Sequence, residues 1–371
     1  MFRLLAVLAF CLCMSAPLRA AERAAAADAT YQAFAQKLHA KGDFWTFVWE
    51  NDKFGGTDRN YTNGNRIAYT SVVVHPNDVA GWVAKQFLGF TESDKTSRDA
   101  LILSGWAIGQ SMFTPADTTA TAPLPNQHPY AGWLFGEYSV IVAKGLGLNP
   151  KLANEKPSLQ SLSLQVGVVG PAAQGEWAQN HFHRLIGVSA ANGWVNQLHD
   201  ELGVVLLYDW RWQQYHQPIG LLPNAGILLQ DFGFDIVPNV GFAAGNVLTQ
   251  ASAGATFRVG THLKNSDLPA RVRPSTPGGG LFKGEDKFAW YAFAGFEGRA
   301  VARDIFLDGN TFVDSLRVDR RPWVADFQVG AALRFGQTQI VYTFVTRTKE
   351  FETQGTAQQF GSVSITQRFA F

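Results

Sequence analysis

Apolar and polar residues alternate with a period of two along most of this chain. In "SLSLQVGV", Leu162, Leu164, Val166 and Val168 fall on one face, and Ser161, Ser163, Gln165 and Gly167 on the other. In "WVADFQVGAALRF", Trp323, Ala325, Phe327, Val329, Ala331, Leu333 and Phe335 alternate against a set that includes Asp326, Gln328, Gly330 and Arg334. That run is long for a strand of a soluble sandwich. It suffices to cross a bilayer at a tilt, which takes roughly 9–11 residues. The last segment, "SVSITQRFAF", puts Val363, Ile365, Phe369 and Phe371 on one face. A terminal aromatic on an alternating final strand is similar to the signal that delivers outer-membrane barrels to their assembly machinery, and aromatic strand ends suit interfacial girdles.

The pattern predicts about twelve strands, starting near residues 43, 65, 102, 132, 159, 201, 223, 246, 287, 322, 338 and 360. The connection at "FGQTQ" is tight, whereas 76–100, 114–129 and 262–287 are long, polar and rich in Gly, Pro, Asp and Thr. Short turns at one end and long loops at the other is the expected wiring of a transmembrane, antiparallel, up-and-down β-barrel. The fold class is therefore all-β, with the barrel over 43–371. A soluble β-sandwich is the remoter possibility.

One stretch breaks the period. "QGEWAQNHFHRLIG", Gln174 to Gly187, is helical in spacing. Gln179 and His183, four residues apart, share a face near Glu176, while Ala178, Phe182 and Leu185 form an apolar face that could pack on the barrel wall. His181 points elsewhere, and Gly187 is a reasonable C-cap. The reading is one short external helix roofing a site beside the barrel. A lone histidine is more often structural than catalytic, so the helix alone leaves the role of His183 open.

Composition agrees with an apolar exterior: 36 Gly, 28 Phe and 11 Trp stand beside only 16% charged residues. The net charge of +1 offers no basic surface for nucleic acid. The start, "MFRLLAVLAFCLCMSAPLRAAE", has a basic residue, an apolar core and small residues at Ala20 and Ala21, the pattern of a secretory signal over 1–21. Cys11 and Cys13 are the only cysteines and would leave with it, so neither disulfides nor thiol catalysis are expected. Residues 22–42 read as a periplasmic leader, partly helical.

A second group of residues carries possible chemistry. The first strand ends in Glu50, Asn51 and Asp52, and "YTNG" (Tyr61 to Gly64) leads into the second. A hairpin would bring Asn51, Asp52 and Thr62 together near the rim. These oxygen-bearing groups suit a hard cation such as calcium, although Asn, Asp and Gly are also ordinary turn formers. No G-x-S-x-G nucleophile elbow occurs.

The blocks "ENDKFGGTDRNYTNG", "HPYAGWLF", "VGVVGPAAQGEWAQNHFHRLIG", "GWVNQLHDE", "IFLDGNTF" and "TKEFETQGTAQQFGS", in order from Glu50 to Ser362, resemble the lipid A 3'-O-deacylase family of outer-membrane enzymes. The resemblance implies a twelve-stranded barrel in the Gram-negative outer membrane, with its site between the barrel wall and a short helix from an external loop. It also implies a calcium requirement and removal of the 3'-linked acyloxyacyl group of lipid A. Matched by motif, the catalytic histidine falls on His183 and its supporting glutamine on Gln179. The Asn-Asp pair of the calcium site falls on Asn51 and Asp52, and the hydroxyl residue on Thr62. Glu201 is the candidate for a further metal-site glutamate beyond the helix. Where the family carries Arg before "PYAGW", this chain has His128, which with Arg59 would meet the anionic head group. The implied partners are lipopolysaccharide and the barrel-assembly machinery, with the barrel a monomer. The rival readings are an outer-membrane phospholipase or other lipid esterase with a serine–histidine pair, and a non-enzymatic porin-like barrel.

Overall fold

The computed structural model describes residues 2–56, 59–146, 149–152, 156–187, 189–219, 231–263 and 288–369. Thirteen antiparallel strands form one sheet in which sequence neighbours are sheet neighbours: β1 (Asp43–Asn51), β2 (Asn60–Val72), β3 (Ala100–Thr114), β4 (Ala131–Lys144), β5 (Ser158–Val169), β6 (Glu201–Trp212), β7 (Tyr215–Pro218), β8 (Phe232–Gly245), β9 (Leu248–Thr261), β10 (Phe288–Asp304), β11 (Trp323–Phe335), β12 (Thr338–Arg347) and β13 (Gln358–Phe369). β1 pairs with β13 from Asp43↔Phe369 to Asn51↔Gly361, which closes the sheet on itself and leaves no edge. β6 and the short β7 both pair with β8 and act as one interrupted strand, so the molecule is a closed twelve-stranded barrel. The strand expected near residue 223 would begin outside the described residues, as does Phe371.

Alternation works as an inside-out core. Trp45, Phe47, Ile67, Trp106, Ile108, Phe327, Val329 and Phe335 are exposed on the outer wall. Their neighbours Arg66, Glu137, Arg299, Asp326, Arg334 and Arg347 are buried in the lumen. The inward charges are paired: Arg66 Nη2 lies 2.6 Å from Glu137 Oε1, Arg258 Nη2 2.6 Å from Asp235 Oδ2, and Arg299 and Arg347 both hold Asp326. A buried charge needs such a partner.

The wiring departs from expectation. The strands place connections 73–99 and 262–287 at the end that carries the start of β1 and the end of β13, together with the tight turn between β11 and β12. Residues 115–130 and 170–200 leave from the opposite end, which also has a tight turn between β8 and β9. Long and short connections are thus mixed. The reason lies in local structure: 73–99 folds into α2 (Val79–Phe87) and α3 (Glu92–Ser97), which need length at the terminal end.

α1 spans Phe2–His39 without a break at the expected signal boundary. In its second half Ala27, Tyr31 and Ala35 are buried. Tyr31 Oη donates to the Val73 carbonyl at 2.9 Å and accepts from Ile102 N at 3.1 Å, which locks the helix to the frayed end of the β2–β3 ladder. Among the described residues no helix is long and apolar enough to cross a membrane. The remaining helices are α4 (Gly175–Ile186) and α5 (Ile305–Asp308).

Candidate functional site

The site lies on the outer wall of β1–β3, under α4, at the end away from the chain termini. A cavity of about 310 Å³ there is lined by Phe47, Trp49, Asn51, Asp52, Lys53, Thr62, Asn63, Asn65, Met112, Ala178, Gln179, Phe182 and His183. Its floor is barrel wall and its roof is helix.

The floor owes its polar groups to the β1–β2 connection. Asn51 ends β1, and its Oδ1 accepts from Lys53 N at 2.8 Å, capping the 3-10 turn Asp52–Gly55. Asp52, fully buried, accepts from Arg59 N at 2.5 Å through Oδ2. The chain re-enters the sheet at Asn60 with a left-handed φ of 61°, and the β2–β3 register then slips between Tyr61 and Asn63. This bulge decides where Thr62 points. Unbroken alternation would send it into the lumen with Arg66. The extra residue puts it on the cavity side with Asn63, while Tyr61 turns inward and donates to Glu50 Oε2. Thr62 and Thr114 share a 2.7 Å hydroxyl contact that fixes the side chain.

The roof is α4, which follows Gln174 (φ 57°) and stops at Gly187 (φ 71°), the left-handed C-cap read from the sequence. Gly175 admits the tight docking of its first turn, since a Cβ there would lie 2.6 Å from the Trp194 ring. Ala178 packs toward the cluster of Met112, Tyr130, Ala191 and Trp194. Phe182 meets Trp49 edge-on at 6.1 Å. Leu185, expected on the same apolar face, is instead 82% exposed. Glu176 is likewise exposed, and His181 turns back to the Trp177 carbonyl at 2.7 Å.

Both polar cavity-facing residues of α4 are held in one orientation. His183 Nδ1 is 2.7 Å from the Ser189 carbonyl oxygen, an atom that can only accept. Nδ1 therefore carries the proton, and Nε2 is the basic nitrogen. Gln179 Oε1 accepts from Trp194 Nε1 at 2.8 Å, so its amide nitrogen is the end left for the cavity. That Nε2 is buried and has no hydrogen-bond acceptor among the described residues. The 189–198 segment supplying both anchors is pinned by Asn180, whose side chain exchanges two hydrogen bonds with the Ala191 backbone.

Five of the residues singled out in the sequence meet here: Asn51, Asp52, Thr62, Gln179 and His183. Three do not line the cavity. Arg59 reaches Thr356 Oγ1 at 2.6 Å. His128 is stacked on Phe113 at 5.3 Å and faces Phe351 edge-on. Glu201 accepts from Thr311 N at 2.7 Å, Asn246 Nδ2 at 3.0 Å and Asn310 Nδ2 at 3.2 Å, tying β6 to the neighbouring loops. Sequence reading missed Asn63, Asn65, Trp194 and the Ser189 carbonyl. Asn63, inside the quoted "YTNG", and Asn65, one residue past it, alternate along β2 and are legible from its outward face; Trp194 and Ser189 left no local signal.

Asn51, Asp52, Thr62, Asn63 and Asn65 bring oxygen donors and one carboxylate to the same wall, a donor set that fits a hard cation. Among the described residues no three His, Cys, Asp or Glu side chains gather as a transition-metal centre would need.

The family model described as "Outer membrane protein LpxR" matches residues 7–369. Among solved structures, the chain is similar to LpxR from Salmonella typhimurium, with a TM-score of 0.65 and 20% identity over 88% of this chain and 100% of that one. The β domain of the Bordetella autotransporter BrkA is matched at a TM-score of 0.41 and 9% identity, covering 89% of this chain and 99% of the other. A search of curated proteins finds no match.

Proposed function

This chain belongs to the LpxR family of outer-membrane proteins, and from that premise we propose that it is a lipid A 3'-O-deacylase that hydrolyses the 3'-linked acyloxyacyl ester in the outer leaflet. The observation that carries the reading is the pairing of a base and a donor across one cavity: His183 with its proton held on Nδ1, and Gln179 with its amide nitrogen turned inward. The cavity opens beside an apolar, lipid-facing wall where Phe47 is exposed, so acyl chains need not leave the bilayer to reach it. In this reading the α4 end faces outward.

His183 Nε2 takes a proton from water, whose oxygen attacks the ester carbonyl. The carbonyl oxygen gains negative charge and meets Gln179 Nε2–H, which the protein has already aimed. Collapse breaks the bond to the sugar oxygen, and the imidazolium returns its proton to that leaving oxygen. The products are the sugar hydroxyl and a free acyloxyacyl acid. Asp52 and Asn51, with Thr62, Asn63 and Asn65 near them, would hold calcium; when bound, it supplies positive charge to the developing oxyanion. We assign Glu201 to bracing, His128, buried between Phe113 and Phe351, to packing, and Arg59 to the rim, where it would influence head-group binding. Residues 1–21 would be removed on export. β1–β13 closure needs no partner strand, which favours a monomer delivered by the barrel-assembly machinery.

The test is mass spectrometry of lipid A from cells producing the chain and its His183→Ala variant. Loss of the 3'-linked group only with the unmodified chain is the expected outcome; removing a general base costs roughly 100- to 10,000-fold. Chelating calcium should abolish the activity and a serine-directed inhibitor should spare it. The opposite pattern would point to a serine esterase. Unchanged lipid A with the folded barrel in the outer membrane would overturn the deacylase reading.

A further inference from the structure

α2 is apolar on both of its faces. Asp78 caps it, accepting from Gly81 N at 2.8 Å. Ala80, Gly81 and Ala84 are buried, and Leu88 follows them. This inner face packs in one cluster with Ile102 of β3 and Val140 and Val142 of β4. The cluster also takes in Leu101, Leu103 and Ile141, of the opposite parity. But Lys144, whose Nζ donates to the Gly89 carbonyl at 2.7 Å just beyond α2, shares with Ile102, Val140 and Val142 the parity of Trp106 and Tyr138. Those two rings pair at 4.5 Å on the outer wall, opposite to Glu137, which points into the lumen. The helix therefore lies on the outside of the barrel, toward the end that carries the chain termini. Tyr138 packs against the edge of the same cluster, so the covered sector runs directly into the uncovered apolar wall.

The other face of α2 is also apolar. Val79 is 71% exposed, and Trp82 and Phe87, paired edge-on at 5.6 Å, are each 56% exposed. Val83 is half-buried against the inner cluster, and Gln86 is the one polar residue of the exposed face. Lys85 stands at the margin, bonded to Asn77. A helix resting on a protein and facing water would show a polar outer face. This one shows two aromatic rings, the side chains favoured where hydrocarbon meets head groups.

We propose that α2 is a lipid-facing helix that replaces barrel wall over β3 and β4 and seats its Val79–Trp82–Phe87 face among the phospholipids of the inner leaflet. On adjoining strands the outward positions Trp45 and Ile67 are exposed to lipid in the same way; α2 thickens the wall outward without interrupting its apolar surface. Two contact zones result on one molecule: the cavity under α4 near one leaflet and the α2 face near the other. This inference rests on the outer-membrane placement of the barrel and takes from the proposed function only the outward orientation of the α4 end; it does not depend on catalysis in the α4 cavity.

The test is photocrosslinking in intact outer membranes. Benzoylphenylalanine is placed at position 82 of the full chain, and in a second variant at 79; position 327 on the bare wall and position 117 in an exposed loop serve as controls. Folding of each variant is checked by heat-modifiable gel mobility, and lipid A is analysed in parallel. Positions 82, 79 and 327 should give phospholipid adducts by mass spectrometry, position 117 none, with deacylation unaltered. A phospholipid adduct at 327 but neither at 82 nor at 79, in folded protein, overturns the proposal. So does an adduct to a polypeptide, whether a second copy or another protein. If deacylation is absent in every chain while 82 still gives its lipid adduct, only the function assigned to the α4 cavity fails.

Discussion

Trp194 does for Gln179 what the Ser189 carbonyl does for His183: each removes one of two possible orientations. An amide is symmetrical in shape, and only a hydrogen bond decides which end faces a site. The indole N–H, on a ring 1% exposed, assigns Oε1 to itself and leaves Nε2 for the cavity. A buried donor without an acceptor costs about 1–3 kcal/mol, and an oxyanion forming beside it would recover that energy in the transition state. Trp194→Phe should therefore lower kcat about fivefold, the equivalent of one hydrogen bond of roughly 1 kcal/mol, with KM and the folded barrel little changed. A KM rise at constant kcat would mean that Trp194 merely shapes the binding surface. The Gln179–His183 spacing is visible in sequence because a helix repeats every 3.6 residues. Their orienting partners are not, since Ser189 and Trp194 act from a return segment with no period.

At the scale of elements, one bulge and one helix account for the site. Thr62 is an alternate-face residue by count, and only the register slip beside it turns it from lumen to cavity; a two-residue period cannot reveal where it breaks. α1 shows the same limit. Its helical character was partly legible, its docking was not. Asp28 is bound by Lys95 of α3 and by Asn77. Burial alone would raise the Asp28 carboxyl, but these hydrogen bonds outweigh it and hold it below its ordinary 3.8. Its contribution is present above that value and is lost as pH falls through the lower folded one. For Lys95 burial opposes the charge, while Asp28 and Glu92 raise it above 10.5; that contribution holds below 10.5 and fades as pH rises through the raised value. Protection factors for hydrogen exchange over residues 22–42, with the intrinsic pH dependence divided out, should be highest between these limits and fall in acid, and Asp28→Asn should flatten the acid limb. An acid limb unchanged by the substitution would mean that another group holds α1.

Taken whole, the barrel is a wall with a filled centre. Arg66, Arg299, Asp326 and Arg347 are each no more than 4% exposed. In a water-filled pore the lining charges stay wet; here they are desolvated and paired across strands, as Arg299 and Arg347 converge on Asp326. We therefore expect no porin-like conductance steps in planar bilayers. Asp326→Ala should destabilise the barrel by about 3–5 kcal/mol, the usual cost of stripping one partner from a buried pair, read as a lower temperature for loss of the compact band on gels. Open-channel currents from the unmodified chain would restore the porin alternative.

Sequence by itself determined the alternation, hence the strands, the inverted polarity of the barrel and the helical interruption at Gln174 to Gly187, because each follows from a short-range period that water and lipid impose on every residue; it did not mark α2, α3 or α5. It also carried the motif blocks that identify the family. Tertiary structure alone decided that both ends carry long connections, that Thr62 faces outward, that Gln179 and His183 are locked by distant partners, and that Arg59, His128 and Glu201 stand apart from the cavity. Those outcomes depend on strand register and on contacts between segments far apart in the chain, and no local pattern records where two such segments will meet.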